Sequence, residues 1–303
     1  MGISFCIATY NRLKSITRLV ESLRKGFEDY PNEIIVADGG STDGTIKYLK
    51  SFGDIKIIEQ NELSGSVKAF NEGFKIATQN YLFPLSDDLE LVAPVIIKAC
   101  NLMDKEPNIG LVAPKIQEPH YGNLTGVTLK THSYWTLLPK TFVFRASVIK
   151  EMNYFDENYR TYFIDDDSPL CTLTLGYTII YTKEVGVIHH REKDEESNIA
   201  RAITLKKMKD GREINHFNKK WGDLRGKVAS YRNPKSILFH KLCSIMFYSD
   251  WLRPAVEINN KVSMNLYDWL LQNTVAFNDE KYKGLEDFYL AQKYPNELIS
   301  SLK

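Results

Sequence analysis

The chain has 303 residues and sets 39 Lys and Arg against 38 Asp and Glu, a formal net charge of +1. Hydrophobic residues make up 43% and charged residues 25%, which excludes a disordered tract, a collagen-like repeat and a coiled-coil rod. Near-neutrality argues against a protein that grips nucleic acid over its whole surface. The cysteines Cys6, Cys100, Cys171 and Cys243 have no short metal spacing and read as free thiols of a reducing, cytosolic compartment. The N-terminal stretch has neither the basic start nor the long apolar core of a signal peptide. No run approaches the ~20 apolar residues of a membrane-spanning helix.

The first half alternates strand and helix signals. Ile3 to Thr9 is a short apolar, β-branched run, as in a buried strand, and Ile16, Leu19, Val20 and Leu23 recur at helical spacing. Glu33 to Asp38 is a second strand, followed by the turn Gly39–Gly44 and a short helix over Thr45–Phe52. Ile55 to Glu59 is a third strand, Ser64 to Thr78 a helix with a serine at its start, and Tyr81 to Leu85 a fourth strand running into Ser86-Asp87-Asp88. Strands separated by helices predict a parallel, doubly wound sheet with helices on both faces.

Beyond Ile109 the pattern is more mixed. Gly110–Pro114 and Thr141–Arg145 read as strands and Ala146–Met152 as a short helix. Thr178–Tyr181 and Val185–His189 read as two strands near the sheet edge, and His120–Tyr134 as a loop over a site. Arg191–Glu196 is a charged connector. Between Arg201 and Lys241 there are 12 Lys and Arg against 3 Asp and Glu. From Ile237 onward apolar residues return at helical spacing. The expected organisation is a catalytic domain over residues 1–225 and a helical extension over 226–303.

Ligands of a doubly wound sheet bind outside the carboxyl ends of its strands. Three polar clusters fall there: Thr9-Tyr10-Asn11-Arg12, Asp38-Gly39-Gly40-Ser41 and Ser86-Asp87-Asp88. Any one of them would serve equally as a turn; three at one edge are harder to ascribe to chance. Adjacent carboxylates repel unless a positive charge sits between them, and a divalent cation shared with substrate phosphates supplies it. A second acidic run, Asp165-Asp166-Asp167, lies before Ser168-Pro169, an expected helix start. It offers either helix-start charge or a general base. His189-His190 ends a strand run and offers either structural histidines or a ligand that completes a cation site.

In order, SFCIATYNR, EIIVADGGSTDGT, SGSVKAFNEGFKIA, YLFPLSDD, FDENYRTYFIDDD and VIHH resemble a family 2 glycosyltransferase over the first two thirds of the chain. The resemblance implies the α/β GT-A fold, a Rossmann-like, mostly parallel sheet flanked by helices. It also implies a UDP-sugar donor, Mn²⁺ or Mg²⁺, and inverting transfer to a glycan, lipid-linked or other hydroxyl acceptor in polysaccharide or glycoconjugate synthesis. By that resemblance Thr9, Asn11 and Arg12 meet nucleotide and phosphate, Asp38 accepts the imide N–H of the base, and Gly40, Gly65 and Asn71 line the donor site. Asp87 and Asp88 stand at the DxD metal motif, with His189 as a further ligand. Asp165 takes the place of the base, with Asp166 and Asp167 as neighbouring candidates.

The chain departs from the family pattern in four places: Gly39 stands where a second acid is common, the metal motif reads Ser86-Asp87-Asp88, the base motif lacks its Glu, and Cys171–Leu175 lacks an Arg common on that helix. A sugar nucleotidyltransferase is an alternative, but its Gly-rich loop is missing after the first strand. A non-catalytic sugar-binding module is another, against which both acidic clusters speak. The basic stretch suits either a solvated face or peripheral contact with anionic lipid at the inner membrane face. The apolar tail suits packing on the core, a membrane surface or subunit pairing.

Overall fold

The computed structural model describes residues 1–60, 62–118, 122–123, 141–161, 163–190, 212–221 and 288–290. Four parallel strands form its N-terminal half: β1 (Ile3–Thr9), β2 (Asn32–Asp38), β3 (Lys56–Glu59) and β4 (Tyr81–Ser86), ordered β4-β1-β2-β3. Between them run helices α1 (Leu13–Gly26), α2 (Thr45–Lys50) and α3 (Ser66–Ile76). After a two-residue turn at Asp87-Asp88 come β5 (Leu89–Leu91) and α4 (Ala93–Lys105). The sequence reading did not assign α4, although Val95, Ile96, Ala99, Cys100 and Met103 give it a buried helical face.

The second half completes a mixed sheet. Strands β6 (Ile109–Glu118), β8 (Val143–Arg145) and β9 (Thr178–His189) extend the order to β9-β6-β8-β4, with β8 antiparallel to both neighbours and β6 parallel to β9. The two short strands expected over 178–189 are one strand, irregular in register near Ala113–Ile116 of β6. It lies near the sheet edge, as expected, one strand in: β10 (Phe288–Leu290) and β5 also pair with it, both antiparallel. Residues 288–290, expected in a helical tail, are therefore a strand that uses β9's free backbone groups. The rest of the expected helical extension lies outside the described residues, as does most of the His120–Tyr134 loop. Of that loop Gly122–Asn123 form β7 against Gln117 and Glu118.

Helices α5 (Ala146–Glu151), α6 (Ile164–Thr174) and α7 (Arg212–Trp221) complete the described elements. Strand alternation sends β1 side chains to two cores. Phe5 and Ile7 pack with Leu19, Leu23, Ile96 and Met103 of α1 and α4, whereas Cys6 packs with Val67, Phe70 and Phe74 of α3. Leu170 of α6 and Phe217 of α7 belong to the second core, so α7 is part of this fold.

Two helix starts differ from expectation. No serine side chain caps α3; Gly65 precedes it at φ +104°, a conformation that costs a glycine little. A Cβ on Gly65 would stand 2.6 Å from the Arg160 carbonyl oxygen, which accepts the Val67 N–H instead of a cap. Helix α6 begins at Ile164 rather than at Ser168, because the Asp167 N–H already donates to the Phe163 carbonyl and Ser168 Oγ to that of Ile164. Pro169 thus lies inside α6 and has no N–H for the Asp165 carbonyl.

Candidate active site

The parallel register sets Thr9 beside Asp38 and Ala8 beside Ser86, so the polar clusters after β1, β2 and β4 share one edge. Loops β1–α1 and β2–α2 are stitched together. Ser41 Oγ accepts the Asn11 N–H at 2.7 Å, Asn11 Oδ1 accepts the Thr42 N–H at 2.7 Å, and Asp43 accepts the Leu13 N–H at 2.9 Å. Asn11 stands at φ +50°, a left-handed conformation that asparagine tolerates. Ser41, named in the sequence only as part of a cluster, and Asp43, not singled out there, hold this cradle; the Gly-Ser-Thr-Asp run was its signal.

Asp38 is fully buried at the floor of the cradle. Its Oδ1 accepts the Gly40 and Ser41 N–H groups at 2.9 and 2.7 Å, and Gly40 turns the chain at φ +92°. Its Oδ2 is buried with no hydrogen-bond partner. Such an acceptor is costly unless a ligand N–H fills it.

The acidic turn after β4 is held by cations and hydroxyls. Thr9 Oγ1 donates to Asp87 Oδ2 at 2.8 Å, and the Arg12 guanidinium stands 3.7 Å from Asp87 Oδ1 and 3.8 Å from Asp88 Oδ2. His189, brought alongside by the β5–β9 pairing with Leu89, places Nε2 3.2 Å from Asp88 Oδ2. Burial raises the Asp88 pKa, but the His189 hydrogen bond, its charge and Arg12 outweigh burial and hold the carboxyl below its ordinary range. His190 repeats the pattern with Glu90 at 2.9 Å.

Among the described residues no three His, Cys, Asp or Glu side chains form a ready metal cage. Asp88 and His189 nevertheless supply one hard oxygen and one imidazole nitrogen side by side. That set fits Mn²⁺ or Mg²⁺ bound mainly through substrate phosphates. Asp87 meets Thr9 and Arg12.

The second acidic cluster is less uniform than its sequence. Asp165 is half-buried in the first turn of α6. Asp166's side chain lies outside the described residues. Asp167 is 2% exposed and engaged: Tyr159 donates to it at 3.2 Å and Lys220 Nζ stands 2.9 Å from its Oδ1. Gly65 packs against Arg160, on the segment leading to Asp165. Asn71 is buried below the site, its amide spent on the Phe155 backbone and on Glu157 at 2.8 to 3.0 Å. It joins α3 to the loop carrying Asp156.

Residues 4–145 match the family model described as Glycosyl transferase family 2. Poly-beta-1,6-N-acetyl-D-glucosamine synthase of Staphylococcus epidermidis is 26% identical over 180 residues, 53% of this chain and 43% of that protein. The Staphylococcus aureus (strain COL) synthase is 24% identical over 179 residues, with the same coverage. The chain thus spans less than half the length of these curated relatives. Among solved structures, S. aureus TarS 1–349 in complex with UDP-GlcNAc aligns at TM-score 0.53 and 19% identity, over 65% of this chain and 61% of that one. The same TarS fragment in complex with UDP aligns at TM-score 0.51 and 21% identity, over 62% and 60%. Motif order, matched segment and fold agree: residues 4–145, a little under half of the chain, resemble a glycosyl transferase family 2 domain, within a GT-A fold.

Proposed function

We propose that the chain is an inverting, metal-dependent glycosyltransferase that moves a sugar from a UDP-sugar to a hydroxyl acceptor in polysaccharide or glycoconjugate synthesis. The observation that carries this reading is Asp38 Oδ2, a buried acceptor with no partner at the end of β2. A uracil imide N–H is the donor it lacks. Thr9, Asn11 and Gly40 shape the nucleotide side of the pocket. TarS in complex with UDP and with UDP-GlcNAc, and relatives that are poly-N-acetylglucosamine synthases, support the donor class.

In this reading Asp88 and His189 hold Mn²⁺ or Mg²⁺, with Asp87 beside them. When bound, the ion supplies Lewis-acid charge to the diphosphate. Arg12, already beside both carboxylates, would offset the negative charge that grows on the leaving group. Asp165 accepts the proton of the acceptor hydroxyl as that oxygen bonds to the anomeric carbon and the bond from carbon to phosphate oxygen breaks. UDP leaves and the configuration inverts. The basic stretch over 201–241 would favour an anionic or lipid-linked acceptor.

Asp165→Asn should lower transfer by about 100-fold or more, within the span of general-base catalysis, and keep UDP affinity. Asp88→Ala should abolish the Mn²⁺-dependent part of UDP binding seen by calorimetry. Full transfer in the first variant, or unchanged Mn²⁺-dependent affinity in the second, contradicts the assignment of that residue.

A further inference from the structure

The richest charged cluster outside the donor site lies behind α6. Lys220 of α7 stands 2.9 and 3.0 Å from the two Asp167 carboxylate oxygens and 3.2 Å from Asp156 Oδ2. His216, one turn earlier, reaches the same Asp156 oxygen at 2.8 Å. Glu213 accepts the Arg160 N–H at 3.1 Å. One helix therefore grips the chain on both sides of the bend that leads into α6.

That bend is strained. Phe163 takes φ +63°, a conformation costly for an aromatic residue unless its surroundings impose it. Its ring packs 5.3 Å from that of Phe217, fully buried on α7. Two residues later comes Asp165. Positions two apart on a helix point about 200° from each other, and it is Asp167 that meets Lys220 of α7. Lys220 grips Asp167, two residues from the base and in the same turn. A cavity of about 520 Å³, lined among others by Asn71, Lys75, Asp167, Cys171 and Lys220, adjoins the seam. The ion pairs add to the apolar contacts of Leu170 and Phe217 in holding α6 against α7.

We propose that Lys220 is a positioning residue for Asp165, fixing the first turn of α6 by bridging Asp156 and Asp167. The inference rests on the reading of Asp165 as the base. A buried ion pair is weak ground for stability, whereas catalytic geometry is unforgiving: a displacement near 1 Å costs about 100-fold in rate.

The test follows UDP release from UDP-GlcNAc with Mn²⁺ present, using the full chain and counting sites by UDP titration. Lys220→Met should lower kcat per UDP-binding site about 10- to 100-fold, in line with that displacement cost. Donor KM and UDP affinity should stay within about twofold, as Lys220 contacts neither, and Lys220→Arg should restore most of the rate. A purely structural role would lower Tm and the count of sites and leave kcat per site unchanged, and that result overturns the proposal. Should Lys220→Met not fold, the variant Asp156→Asn/Asp167→Asn/Lys220→Met removes both carboxylates together with the ammonium. A low kcat per site there supports the proposal, and a parental value overturns it. Asp165→Asn is measured in parallel. Release that survives in Asp165→Asn sinks the reading of the base and this proposal with it; an inactive Asp165→Asn beside a fully active Lys220→Met sinks the proposal alone.

Discussion

Asp38 shows how far a single side chain was legible. An acid at the end of an apolar strand, followed by Gly-Gly-Ser, marks a turn at a sheet edge, and the register confirms that position. The sequence does not reveal that Oδ1 is consumed by two backbone N–H groups while Oδ2 is left over, since that division depends on loop conformation. It yields a sharp expectation. Asp38→Asn retains an acceptor for the Gly40 and Ser41 N–H groups but turns the other atom into a donor, facing an imide N–H. UDP affinity should fall about 10- to 100-fold, the span for a charged hydrogen bond, with little change in Tm. Calorimetry and a melting curve on one preparation check both halves. Asn71 illustrates the opposite case. Motif order put it near the donor, while its amide faces the Phe155 backbone, a partner 84 residues away that spacing cannot disclose.

Strands and helices with a clean period were readable, and those set by distant partners were not. Strands β1 to β4 stand within a residue or two of expectation because they are short apolar runs between turn signals. Strand β9 was read as two because Lys183-Glu184 interrupts its apolar run; pairing with β6, β5 and β10 carries the strand through. Helix α6 was placed late because its start depends on the Phe163 bend and on α7, about 50 residues downstream. One tie among the N-terminal strands is testable through pH. Glu33 of β2 accepts Ser4 Oγ at 2.6 Å and the Thr78 N–H at 2.6 Å, and pairs with Lys56 at 2.6 Å. Burial raises its pKa, but Lys56, Ser4 and Thr78 outweigh burial and bring it from 4.5 to about 2. The folded value is the lower one, so its stabilisation is complete above about pH 4.5 and is lost as pH falls toward 2. Glu33→Gln should be less stable than the parent at neutral pH, with the gap closing across that window. Urea midpoints at several pH values measure it, and a constant gap would contradict the pairing.

Over the whole molecule, a net charge of +1 proves to be a cancellation of local excesses. Asp38, Asp87 and Asp88 gather at the carboxyl edge of the sheet, with Arg12 and His189 set against the last two. The 12 Lys and Arg over residues 201–241 include Lys220, spent inside the fold on Asp156 and Asp167. A stretch that reads as surface charge therefore also ties α7 to the catalytic half. The fold class was visible in the alternation of elements. The polar edge was visible in three clusters whose alignment the parallel register supplies. The α6–α7 seam was not, because its partners are far apart in sequence. Among the described residues no helix is long and apolar enough to cross a membrane. The most direct test of the central claim is a product assay on the full chain with UDP-GlcNAc and Mn²⁺, separating UDP from pyrophosphate. The account predicts Mn²⁺-dependent UDP release, lost in Asp165→Asn; pyrophosphate as the product, or no release together with no Mn²⁺-dependent UDP binding, would contradict it.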